Sequence, residues 1–380
     1  MKKLIKQWGV PLAMVGGVVI YYLIELLPLS SGTHEAVYRV ISHNIQPVLI
    51  FTMLWLSFMK VKLRDMKPRR WHLWLLLMQA GCFLVCSVLA LLSPTYGTKI
   101  LCEGAMLAFI CPTATASAVI TGKLDGSVSG VVTYLMFCNL MVSLLAPAIL
   151  PLVEPHGGMT FIPSFLMIMR KVFPLLICPL LLAQGVRYLL PKWYRRVMRY
   201  PDLAFHIWLP ALALAITVTV RSIALSTVDW HYMVGLAVIS GVCCMTQFAL
   251  GKWLGGRYDG GGQAGRDGAV LVAGGGTACN GGDDGGGQAG RDGGYDGGGQ
   301  AGRNGAGLVA GGQAGRNDGV QPSIRVTAGQ AFGQKNTVFV IWLGLVFLDP
   351  VTSVVGGFYS VWHNLVNSWQ LRKCKLGVRN

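Results

Sequence analysis

Polar and charged positions in this chain gather between long apolar blocks. A helix rising 1.5 Å per residue needs about 20 mostly apolar residues to cross a hydrocarbon core of about 30 Å. Ten blocks meet that requirement, at 9–29, 45–61, 71–93, 99–121, 127–153, 165–190, 203–221, 231–254, 326–348 and 350–371. The pattern predicts an all-α membrane protein with ten transmembrane helices. The first block follows MKKLIKQWG, as the core of a signal peptide would. It runs from Val10 to Leu29 with no small-x-small cleavage site behind it, and so reads as a membrane helix.

Composition agrees. The 380 residues are 53% hydrophobic and 13% charged, against about 25% charged in soluble domains. The net charge of +16 is carried by Lys/Arg runs between the apolar blocks. That is a membrane topology signal rather than a nucleic-acid surface, so no nucleic-acid partner is expected. The basic loops KVKLRDMKPRR (60–70) and RYLLPKWYRRVMRY (187–200) are assigned to the cytoplasm, with MKKLIK and LRKCKLGVRN at the two ends. SPTYGT (93–98) and LVEPHGGMTFIPS (152–164) contain no Lys or Arg and fall on the other side. The expectation is a multi-pass plasma (inner) membrane protein, in contact with the lipid bilayer and with both termini cytoplasmic.

Residues 255–325 break the apolar rhythm. DGGGQAGR occurs at 259–266, 284–291 and 296–303, with GGQAGR at 311–316. Glycine's backbone entropy argues against a packed structure there. The repeats also lack the apolar position and nine-residue period of a calcium-binding β-helix. The expected organisation is membrane helices one to eight over 1–254, a disordered linker over 255–325, and helices nine and ten with a cytoplasmic tail over 326–380.

Once the linker is set aside, segments four and nine fall at matching places in two halves of five. Segment four is interrupted in FICPTATASAVITG by Pro112 and small polar residues. Segment nine is interrupted in AGQAFGQKNT by Gly329, Gly333 and polar side chains. Paired interruptions of this kind point to a secondary transporter's binding site. Lys335 sits inside the second, where an ammonium costs about 2.5–3.5 kcal/mol on insertion scales. The ten cysteines show no metal-ligand spacing, and no metal or cofactor is expected. No Ser/His/Asp set, HExxH, P-loop or carboxylate pair supports an enzyme. Glu25 and Glu103 read as interfacial acids, and His206, His231 and His363 as interfacial anchors.

SVVGGFYSVWHNLVNSW (353–369), CPTATASAVIT, SLLAPAILPLV and GQKNTVFV together resemble the bile acid:sodium symporter family. The resemblance implies two inverted five-helix repeats, with interrupted helices four and nine crossing in a core group that packs on a panel group. Carried over residue by residue, the family's sodium-binding glutamate falls on Ala331 and its glutamine on Lys335. Ser117 is kept, the asparagine beside it becomes Ala118, Gln79 aligns with a third-segment glutamine, and Asn139 lies near a fifth-segment hydroxyl ligand. The loss of a carboxylate and the gain of an ammonium argue against sodium, because two nearby cations repel.

These features give a symporter-like transporter of a small organic anion, working by alternating access and without sodium coupling. Its substrate-binding or coupling set is Lys335, Asn336, Thr337, Gln334, Thr113, Thr115, Ser117, Asn139 and Gln79. Lys335 is expected beside Thr113–Ser117, its ammonium bonded to unwound carbonyls. A proton-coupled exchanger or facilitator using Lys335, and a non-transporting receptor or scaffold, are the alternatives. The plainer expectation for Lys335 is snorkelling to the interface.

Overall fold

The computed structural model describes residues 2–61, 66–155, 158–200, 203–259 and 322–375. Among the described residues every regular element is helical, and the only strand-like pairings are two isolated backbone bridges. The helices are α1 (Lys2–Leu26), α2 (Ser31–Val40), α3 (Gln46–Met59), α4 (Arg70–Leu91), α5 (Tyr96–Ile110), α6 (Ser117–Lys123) and α7 (Val128–Val153). They continue with α8 (Phe161–Leu189), α9 (Pro191–Val197), α10 (Leu203–Ala224), α11 (Trp230–Asp259), α12 (Ile324–Gly333), α13 (Thr337–Phe347) and α14 (Val354–Lys375). A π-helical turn at Ile41–Ile45 joins α2 to α3, and a 3₁₀ turn at Pro350–Ser353 leads into α14.

Side-chain caps set several starts. Ser30 accepts from the Thr33 amide, Ser127 from Gly130 at 3.1 Å, and Ser323 from Val326 at 3.2 Å. Each satisfies an amide that the first helical turn leaves without a partner.

Six helices are long and apolar enough to cross a membrane: Ser31–Met59 as one unit, α4, α7, α8, α10 and α11. The sequence pattern predicts ten. The other four apolar blocks also lie on helices, but for two distinct reasons they fall short of that measure. Blocks four and nine are broken into α5/α6 and α12/α13. The apolar part of α1 spans only Pro11–Leu26, and α14 carries Ser360, His363, Asn364 and Asn367 among its apolar residues.

The helices pack in two groups. In one, α1 lies along α10, and α3 contacts both α8 and α10. In the other, α4 packs on α5 and α7, while α11 packs on α5, α12 and α14; α7 also packs along α8 and joins the groups. The bundle's exterior is apolar: α4 presents Leu73, Leu77, Leu84, Val85 and Leu89 outward. Its interior holds fully buried Gln46, Gln79, Gln247 and Gln330. Water would penalise such a contiguous apolar exterior, whereas lipid accommodates it.

Hydrogen bonds mark two ends, the one between Ser323 and Asp125 joining their main chains. At one end the Tyr96 hydroxyl bonds Asp349, and Lys99 bonds Glu154. At the other, Arg187 donates to the Val61 carbonyl at 2.7 Å, and the Ser323 amide donates to Asp125 at 3.2 Å. The segment expected as linker is helical at its start, where α11 continues through Gly255 to Asp259. The Asp259 carboxylate caps α12, accepting from the Ser323 hydroxyl and the Arg325 amide at 2.9 Å each and from the Ile324 amide. The rest of the expected linker, 260–321, lies outside the described residues.

Candidate functional site

Two helix breaks make the site. α5 ends at Ile110 because Pro112 disfavours helical backbone at the residue before it, and Cys111 turns out to φ −50°, ψ 127°. α12 ends at Gly333, and Gln334 is extended at φ −89°, ψ 119°. The chain re-enters helix at Thr337, with the Asn336 side chain accepting from the Phe339 amide at 3.5 Å.

The extended pieces run antiparallel, bridged at Thr113 and Lys335. The Ala114 amide donates to the Gln334 carbonyl at 3.0 Å, and the Asn336 amide donates to the Pro112 carbonyl at 2.9 Å. Each break thereby satisfies backbone groups freed by the other, as irregular backbone away from water requires.

A ring of side chains holds the crossing. Thr113 Oγ1 donates to the Ala331 carbonyl at 2.6 Å, and Cys111 Sγ to the Asn336 carbonyl at 3.2 Å. The Gln79 amide donates to the Cys111 carbonyl at 3.1 Å, and its oxygen accepts from Tyr134 at 2.6 Å. Tyr359 donates to the Gly333 carbonyl at 2.9 Å and accepts from Gln247 at 3.2 Å. Gln334 donates to Gln330, which donates on to Gln370 of α14. Thr337 Oγ1 accepts from Ser360 at 2.6 Å.

The site residues expected from the sequence thus fall into three sets. Thr113, Gln334, Lys335, Asn336 and Thr337 meet at the crossing, and Gln79 braces it from α4. Ser117 is buried but bonds the Ala114 carbonyl at 2.6 Å, while Thr115 is half-buried in the turn before α6. Asn139 is buried on α7 with neither its amide nitrogen nor its oxygen hydrogen-bonded.

Lys335 is the exceptional member. It is 1% exposed, so it does not snorkel to a surface. Its backbone lies against segment four, yet Nζ has no hydrogen-bond partner. The expected bonds from ammonium to unwound carbonyls are absent, and the chain itself bonds those carbonyls: backbone amides donate to Pro112 and Gln334, and side chains to Cys111, Ala331, Gly333 and Asn336. Nζ instead lies 4.9 Å from the centre of the Phe332 ring. Asn336 Nδ2 is likewise buried without a partner.

Glu103 is 1% exposed, turned inward by α5 to where Lys99 approaches to 3.6 Å. One further expectation is corrected. His363 is 6% exposed and packs on Tyr359 within α14, so it is not an interfacial anchor. Sequence reasoning missed Gln247, whose only signal is being the one amide in the apolar run VCCMTQFAL.

Residues 12–257 match the model of the SBF-like CPA transporter family. The matched span contains the segment-four half of the crossing and stops before α12–α14. No curated protein matches the chain.

Proposed function

The chain belongs to the SBF-like CPA transporter family, and on that premise we propose that it is a secondary transporter of a small organic anion, working by alternating access without sodium coupling. One observation carries this reading: the Lys335 ammonium, buried and without a hydrogen bond, stands where two broken helices cross. A sodium ion needs several oxygen ligands around it. Here an ammonium already stands, 4.9 Å from an aromatic ring centre, and Ala331 occupies the position expected for the family's carboxylate. The N-terminus of α13 adds partial positive charge beside Lys335, and Asn336 Nδ2 adds an unused donor. Donors and positive charge with no internal acceptor suit a ligand's carboxylate or sulfonate.

The ten apolar blocks are read as ten crossings in two inverted five-helix repeats, with segments four and nine as counterparts. Both chain ends and the 260–321 segment are assigned to the cytoplasm of a plasma (inner) membrane. The broken helices at matching positions support the repeat, and the basic loops support the orientation. In this arrangement α1, α3, α8 and α10 form the panel, and the crossing lies in the core group.

The test uses the purified full chain. A ligand that binds only the folded state raises its melting temperature by mass action. Sodium chloride and potassium chloride at equal ionic strength are expected to give the same melting temperature. A panel of carboxylates and sulfonates is expected to raise it, and those that do should enter proteoliposomes equally with or without a sodium gradient. Saturable stimulation of uptake by sodium overturns the reading.

A further inference from the structure

A cavity lies away from the crossing, at the end of the bundle we assign to the outside. It encloses about 420 Å³ between the two helix groups. Tyr38, Arg39, Ser42 and His43 of α2 and the π-helical turn line it from one side, with Arg221 and Ser222 of α10. Tyr96, Leu345, Asp349 and Val351 line it from the other. Its volume is in the range of pockets that hold a small organic molecule.

Charge accounting singles out one residue. Arg39 is held by Glu35 at 2.9 Å. Asp349 is occupied by the Tyr96 hydroxyl and by the Val351 amide at 2.9 Å. Arg221 is half-buried, lies 4.3 Å over the Tyr38 ring, and forms no ion pair among the described residues. Glu25 accepts from the Tyr38 hydroxyl at 3.0 Å and pairs with His34 at 3.3 Å. The guanidinium is therefore positioned by a ring face and left without a carboxylate. Hydroxyls stand near it at Ser222 and Ser226, and apolar walls at Val218, Leu225 and Leu345. Two of its lining residues, Ser42 and His43, lie in the π-helical turn, a distortion that recurs at functional sites.

We infer that this cavity is an external binding site for a monoanionic organic molecule, with its carboxylate or sulfonate on Arg221 and its apolar body between the helix groups. The planar guanidinium matches such head groups through two parallel hydrogen bonds. The inference rests on the transport reading above and names the residue that first receives the substrate's charge. Because the walls belong to both groups, an occupant ties them together at this end.

Calorimetric titration of the full chain in detergent tests it, with naphthalene-2-sulfonate as probe and the uncharged naphthalene-2-sulfonamide as control. The sulfonate should bind more tightly than the sulfonamide. Arg221→Gln should weaken sulfonate binding about tenfold or more, the equivalent of a lost charge-assisted bond. Arg221→Lys should fall between, keeping the charge without the fork. Leu225 is 65% exposed, so Leu225→Trp narrows the cavity without disturbing the core, and it should weaken binding too. That variant carries the test should Arg221→Gln fail to fold. Equal binding of sulfonate and sulfonamide, or undiminished binding by Arg221→Gln or by Leu225→Trp, overturns the site. Neither outcome touches the sodium experiment, which fails or stands on uptake and melting alone.

Discussion

Lys335 is held in place by its backbone and left unsatisfied at its tip. The main chain at the break is paired across to segment four, while the ammonium lies over a ring face and makes no hydrogen bond. A cation–π contact offsets about 0.5–2 kcal/mol, and burying an unpaired charge costs several kcal/mol. The residue therefore works against the stability of the resting protein, which is common at functional positions. Lys335→Met keeps the length and removes the charge. It is expected to raise the melting temperature, corresponding to about 1–4 kcal/mol, while abolishing stabilisation by carboxylates and sulfonates. A melting temperature lowered by several degrees would mean that the ammonium has a structural partner. The place of Lys335 was legible in the sequence because it is a lone charge in an apolar block opposite a broken partner. The absence of bonds from its ammonium was not. The carbonyls it was expected to use bond groups that include segments more than 200 residues apart, and that arrangement exists only after the two breaks cross.

Among helix pairs, α11 and α12 make the closest approach on which the site depends. A Cβ added at Gly251 would lie 2.5 Å from the Ala328 carbonyl oxygen, and one at Gly255 would lie 2.6 Å from that of Ile324. Both obstacles are backbone, so no side-chain rotation relieves them. Gly251→Val is expected to force the helices apart and destabilise the fold by about 1–3 kcal/mol, read as a lower melting temperature. Gly81, with open space around its Cβ inside α4, is the control, and Gly81→Ala should not lower the melt, since helix propensity favours Ala by about 0.5–1 kcal/mol. The same pair sets the limits of a deletion. Asp259 and the first turn of α12 are already hydrogen-bonded, so a short Gly/Ser bridge between 259 and 322 closes a gap the fold has closed itself. Removal of 260–321 is expected to leave a monodisperse protein, because loop closure depends only weakly on length. Extending the cut to 255–325 removes the Asp259 cap and Gly255, and should reduce stability. The glycine-rich composition signalled the insertion, but helical backbone through Gly255–Asp259 was not legible. Glycine disfavours helix on propensity, and here tertiary packing against α12 overrides it.

At the scale of the whole molecule, the open quantity is the number of crossings, six by helix length and composition or ten by apolar pattern. Both are even, so finding the two termini on one side decides nothing. The deciding positions flank the broken helices. If α5 and α6 together cross, Leu92 and Lys123 lie on opposite faces, and α7 returns the chain so that Met159 shares the face of Leu92. If they only dip in and out, Leu92 and Lys123 share a face and Met159 lies opposite. The contacts favour the first arrangement: Lys99 reaches Glu154 beyond α7, whereas Asp125 meets Ser323 at the other end. The basic loops then place Leu92 and Met159 outside. Leu92 is 73% exposed and Met159 41% exposed, so cysteines at these sites are open to reagent. With a membrane-impermeant maleimide on intact cells, Leu92→Cys and Met159→Cys should label above the unmodified protein. Lys123→Cys and Asn317→Cys should label only after the membrane is opened. Labelling of Lys123→Cys in intact cells, or protection of Met159→Cys, would reduce the bundle to fewer crossings. It would also remove segment four from the role of a helix broken in mid-membrane, and with it the reason for an ammonium at that depth.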